Sequence, residues 1–106
     1  RSKEKNENIF EVGALKLNKN KSEVSIDGNY VDLTKQEFNI LELLATNNGD
    51  FVTPEEFLDK TWEKTNVSPA AVDIAMFRLR QKLSKYKKGS NLIKNKTGKG
   101  YLLNTS

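Results

Sequence analysis

Two helix-start signatures stand nineteen residues apart in the middle of the chain, Thr34-Lys-Gln-Glu37 and Thr53-Pro-Glu-Glu56. In each, the threonine hydroxyl can accept the backbone N–H three residues on while the glutamate reaches back to the threonine's own N–H, a reciprocal cap that fixes where a helix begins. The first helix carries Phe38, Leu41, Leu44 and Ala45 at helical spacing and stops at Asn47-Asn48-Gly49. The second has proline at its first position, where the missing N–H costs nothing, and is short, with Phe57, Leu58, Thr61 and Trp62. Ser68-Pro69 opens a third, the longest, whose pattern runs to Tyr86 before Lys87-Lys88-Gly89.

Strand patterns flank these helices. Residues 10–17 and 23–27 alternate apolar with polar, and Asp27-Gly28-Asn29 turns the chain into Tyr30-Val-Asp-Leu33. At the other end, Asn91 to Lys96 and Tyr101 to Leu103 enclose Thr97-Gly98-Lys99-Gly100, the pattern of a hairpin. The order predicts an α+β fold: an N-terminal antiparallel sheet, three helices and a C-terminal hairpin, the organisation of a winged helix-turn-helix.

With 106 residues and 12.0 kDa there is room for one core. We read residues 1–9 as a linker remnant of a longer protein and residues 10–104 as the domain. The chain has no Cys and no His. That removes thiolate and imidazole metal sites, disulfides and Ser-His-Asp triads, and we expect neither metal nor cofactor. Gly98-Lys-Gly100 has the wrong spacing for a phosphate loop and is followed by a strand, while Glu37, Glu55 and Glu56 already serve helix starts. An enzyme is not expected. No apolar run approaches the ~20 residues that span a bilayer, so the reading is a cytoplasmic protein without a membrane partner.

The charge is polarised. Residues 1–67 hold 9 Lys and Arg against 13 Asp and Glu, a balance of −4, whereas residues 68–106 hold 9 against one, a balance of +8, for a net +4. Such a segment attracts polyanions, unless its lysines only serve solubility. At 100° per residue, Val72, Met76, Leu79, Leu83 and Tyr86 form one stripe of the third helix. The opposite face gathers Ala70, Ile74, Phe77, Arg78, Gln81 and Lys85, with Arg80 at its border. Against a major groove, Arg78 suits guanine or phosphate, Gln81 adenine, and Ile74 and Phe77 thymine methyls. The other reading packs Ile74 or Phe77 on neighbouring elements. The hairpin tip, with Asn95, Lys96, Thr97 and Lys99, suits a minor groove or phosphates, or is an edge guarded by lysines.

Leu33-Thr-Lys-Gln-Glu-Phe-Asn-Ile-Leu-Glu-Leu-Leu44, Val52-Thr-Pro-Glu-Glu-Phe-Leu58 with Trp62, Val72-Asp73 before Arg78-Leu-Arg-Gln-Lys-Leu83, and Ile93 with Gly98-Lys-Gly-Tyr101 resemble the DNA-binding domain of OmpR/PhoB-type response regulators. The resemblance implies a recognition helix over 69–86 and a wing over 94–100 that bind double-stranded DNA. Arg78 is similar to the family's base-reading arginine, Arg80 to its phosphate contact, Trp62 and Tyr101 to backbone-touching aromatics, and Asn95 and Thr97 to wing contacts. Residues Glu63, Lys64, Thr65, Asn66 and Val67 match the loop through which relatives touch RNA polymerase. The resemblance also implies an absent N-terminal receiver with its sensor kinase, head-to-tail dimers on direct repeats, and a monomeric fragment off DNA. Phe77, Ala75, Ala70 and Thr97 depart from polar positions of the family, which implies a more apolar, thymine-directed readout and a wing relying on Lys96 or Lys99. The rival function is a winged helix used for protein or RNA contact.

Overall fold

The structure, a computed structural model, describes residues 9–47, 49–62, 68–89 and 92–104. Four short strands, β1 (Ile9–Val12), β2 (Leu15–Asn18), β3 (Glu23–Ile26) and β4 (Asn29–Val31), form an antiparallel sheet in sequential order. Asp27 and Gly28 both take positive φ, 54° and 86°, in the two-residue turn between β3 and β4, as the Asp-Gly pair requires. Alternation sends Leu15, Leu17, Val24, Ile26 and Val31 inward, and Lys16 and Tyr30 outward.

Several boundaries of the N-terminal sheet differ from the sequence reading. The alternating run 10–17 is two strands folded on each other, with Gly13 at φ 57° in the loop and Val12 opposite Leu15. Strand β4 ends at Val31 rather than Leu33. Ile9 pairs with Asn18, so it belongs to the sheet and not to the linker assigned to 1–9.

Both capping boxes are formed. Thr34 opens α1 (Lys35–Thr46), with Thr34 Oγ1 accepting from the Glu37 N–H at 3.2 Å and Glu37 Oε1 accepting from the Thr34 N–H at 3.0 Å. Thr53 does the same with Glu56 at the start of α2 (Pro54–Thr61). The Gln36 amide donates to the Thr61 carbonyl at 3.3 Å and hydroxyl at 3.2 Å, tying α1 to the end of α2. Helix α3 (Ala70–Ser84) lays Val72, Met76, Leu79 and Leu83 on the core.

Helix α3 stops two residues before the expected Tyr86. The chain bends there into a 3-10 turn (Lys87–Gly89), and the Tyr86 hydroxyl donates to the Tyr30 carbonyl at 2.9 Å, which binds the turn to the N-terminal sheet. Strands β5 (Ile93–Lys96) and β6 (Gly100–Leu103) form the C-terminal hairpin. Val52 adds a third strand segment: its N–H donates to the Tyr101 carbonyl at 2.7 Å and the Tyr101 N–H donates to the Val52 carbonyl at 3.0 Å. The hairpin is thereby joined to the chain just before α2. A winged helix-turn-helix fold results.

Candidate nucleic-acid interface

The inward stripe of α3 determines what its outer face presents. Once Val72, Met76, Leu79 and Leu83 are buried, the helical repeat turns Ile74, Phe77, Arg78, Gln81 and Lys85 outward, and all five are exposed, as is Arg80. The packing alternative for Ile74 and Phe77 fails, because they are 55% and 63% exposed.

Two grooves run beside this ridge. One lies between α3 and the hairpin and is lined by Asp73, Phe77, Arg80, Gln81, Asn95 and Tyr101, among others. The other, towards the start of α1, is lined by Thr34, Glu37, Arg78, Gln81, Lys82 and Lys85 with Ser84. Gln81 borders both. The hairpin tip exposes Asn95, Lys96, Thr97 and Lys99, and the Lys99 ammonium sits 5.7 Å from the centre of the Phe51 ring.

Trp62, at the C-cap of α2, is half-buried. Tyr101 departs further from the surface aromatic that the resemblance implies. It is 5% exposed, its ring meets Phe57 edge-on at 6.2 Å between centroids and 69° between planes, and its hydroxyl donates to Asp73 Oδ1. Its ring is core, and its hydroxyl links the hairpin to the first turn of α3. Glu63, Lys64, Thr65, Asn66 and Val67 lie outside the described residues.

Burial, the hydrogen bond to Asp73 and that carboxylate's charge push the Tyr101 phenol up from 10 to about 12, against the opposing attraction of Arg80. Between these values the folded chain holds a proton that the unfolded chain releases. The stabilisation by this contact is therefore complete below pH 10 and lost as pH rises through about 12. In denaturation series from about pH 9 to about pH 12, the stability gap between the wild-type chain and Tyr101→Phe should narrow with rising pH; a constant gap would show that the hydroxyl is not so held.

Sequence reading missed one more pair. Lys82 Nζ donates to Glu37 Oε1 at 2.7 Å, so one of the nine cations counted in residues 68–106 is engaged by a carboxylate of α1. Burial acts to raise the Glu37 carboxyl, but the Lys82 and Thr34 hydrogen bonds and the Lys82 charge prevail and hold it below its ordinary value. Among the described residues no group of three or more acidic side chains is placed to hold a metal ion, and no helix is long and apolar enough to cross a membrane.

Residues 28–103 match the family described as "Transcriptional regulatory protein, C terminal". The response regulator ArlR of Staphylococcus haemolyticus is 33% identical over 96 residues, covering 90% of this chain and 43% of its own. The DNA-binding domain of CpxR from E. coli superposes with a TM-score of 0.78 at 36% identity, covering 92% of this chain and 98% of that one. The RstA DNA-binding domain of Klebsiella pneumoniae, solved in complex with the RstA box, gives 0.80 at 28% identity over the same shares. The chain spans about two-fifths of the length of the curated relatives it matches. By this family match and the fold that carries it, the chain belongs to the C-terminal domains of transcriptional regulatory proteins, in their OmpR/PhoB winged-helix form.

Proposed function

We infer that this domain binds double-stranded DNA sequence-specifically, with α3 in the major groove and the hairpin wing at the adjacent minor groove or backbone. The observation that carries the reading is the outer face of α3, where Arg78, Gln81 and Lys85 share one exposed surface with Ile74 and Phe77. A helix face that met only water would not hold two large apolar side chains among cations, whereas a groove supplies phosphates at its rims and base edges and methyls on its floor. The RstA domain solved on its DNA box shares the fold at 28% identity. Arg78 reads a base, Arg80 and Lys85 hold phosphates, and Asn95, Lys96, Thr97 and Lys99 form the wing contact. Trp62 contributes a partly exposed edge to the backbone contact, and Tyr101 acts from beneath by holding the wing.

In the same reading, the full regulator carries an N-terminal receiver domain that a sensor kinase phosphorylates. The full regulator binds direct repeats head to tail in the cytoplasm and touches RNA polymerase through residues 63–67, while the isolated domain is monomeric. Catalysis has no part in it.

Duplex binding should weaken linearly in log salt with a slope of about −0.9 for each phosphate neutralised. Arg78→Ala should cost roughly 1 to 3 kcal/mol and relax base preference, while Lys85→Ala should lower affinity about equally on every sequence. Fluorescence anisotropy on a duplex selected from a random pool tests both. Salt-independent binding, or preference for single-stranded RNA or a protein, would favour the rival use of the fold.

A further inference from the structure

The first half of the outer face of α3 carries no side chain that can donate a hydrogen bond to a base. It presents Ala70, Ile74 and Phe77, and its one charged group, Asp73, is an acceptor whose Oδ1 takes the Tyr101 hydroxyl. Ile74 and Phe77 are three residues apart and therefore neighbours, and Arg78 and Gln81 each stand four residues beyond one of them. An apolar pair is thus followed directly by a polar pair along the same ridge. Arg80 lines one groove with Phe77, Arg78 and the C-cap Lys85 line the groove on the other side of Gln81, and the wing beyond Asn95 adds Lys96 and Lys99.

This arrangement narrows what can cover the pair. A protein surface would have to match an apolar centre of two side chains to a cationic surround. A thymine-bearing major groove matches it directly, because each thymine presents a C5-methyl group on the floor between two rows of phosphates. Resting on the duplex-binding reading above, we propose that Ile74 and Phe77 are specificity-determining residues that read the C5-methyl groups of thymines, so that the first half of α3 selects bases by apolar contact alone. Arg78 and Gln81 supply the hydrogen-bonded readout of the base pairs that follow. The acid on this half of the helix is tied to the wing through the Tyr101 hydroxyl.

The test replaces thymine by deoxyuridine, one position at a time, in a duplex selected with this domain. The exchange removes only the methyl group and leaves pairing and phosphate charge intact. At each contacted position the dissociation constant should rise about fourfold, the fold-change for losing one buried methyl. Ile74→Ala and Phe77→Ala should bind the thymine and deoxyuridine duplexes equally at those positions and keep the wild-type salt slope. Both side chains are exposed, so thermal unfolding should be unchanged in either variant. Equal affinity of the wild-type domain for the two duplexes, with Arg78→Ala still weakening binding, would overturn this inference alone. Discrimination that persists in the Ile74→Ala, Phe77→Ala double variant would overturn it as well. Absence of salt-dependent duplex binding would overturn it together with the reading on which it rests.

Discussion

Gly100→Ala is expected to cost the domain about 3 kcal/mol of folding stability, from backbone strain plus overpacking. Gly100 has φ 110°, which side-chain-bearing residues rarely adopt, and a Cβ there would lie 2.3 Å from the Val52 carbonyl oxygen and 2.9 Å from its carbon. That oxygen accepts the Tyr101 N–H at 3.0 Å, so it cannot retreat without breaking the bond that joins the wing to the chain before α2. Gly98 provides the control. It has φ 83° but open space where a Cβ would stand, so Gly98→Ala should show the strain alone, about 1 kcal/mol. Urea denaturation of the two variants separates the terms. Equal losses would mean that the wing does not press on Val52.

Lys82→Met should cost about 2 kcal/mol at neutral pH, less than a fully buried pair because the lysine side chain is 34% exposed. The substitution leaves the Glu37 carboxylate, in a residue 6% exposed, with only the Thr34 N–H and hydroxyl to stabilise its charge. Its pH dependence has a definite sign. In the wild-type domain the Glu37 carboxyl is held below 4.5, so the stabilisation is present above that value and lost as pH falls through the folded-state pKa. In the variant both lowering effects of Lys82 are gone, so the carboxyl pKa rises from its wild-type value and protonation relieves the penalty at higher pH than before. The difference between the two proteins should therefore shrink when denaturation is repeated near pH 4. A gap that widened on acidification would exclude the pair as its cause.

The features legible from the sequence are local. Each capping box spans four residues, and the Asp27-Gly28 turn two, so the interacting groups are neighbours in the chain as well as in space. The hairpin at Gly13 is nearly local and was still missed, although its trace is present: Phe10 and Val12 stand at even positions, Leu15 and Leu17 at odd ones. That change of phase cannot occur within one regular half-buried strand. The outer face of α3 was legible as well, because a fifteen-residue helix with four buried residues leaves little choice about which side faces out.

The pairs that shape the interface left no comparable trace. Glu37 and Lys82 are 45 residues apart, and Asp73 and Tyr101 are 28 apart. No periodic pattern marks such a meeting; it arises from the packing of α3 against α1 and of the wing against α3. Tyr101 was displaced from the expected surface for the same reason, since its neighbour Phe57 comes from α2.

The wing is fastened to the rest of the domain at Val52 through paired backbone bonds and to α3 through the Tyr101 phenol. Two reading elements bolted to one frame act as a ruler. If the helix and the wing engage neighbouring grooves, one base pair inserted between their footprints displaces the second by about 3.4 Å along the axis and rotates it around the duplex, and neither element can slide to follow.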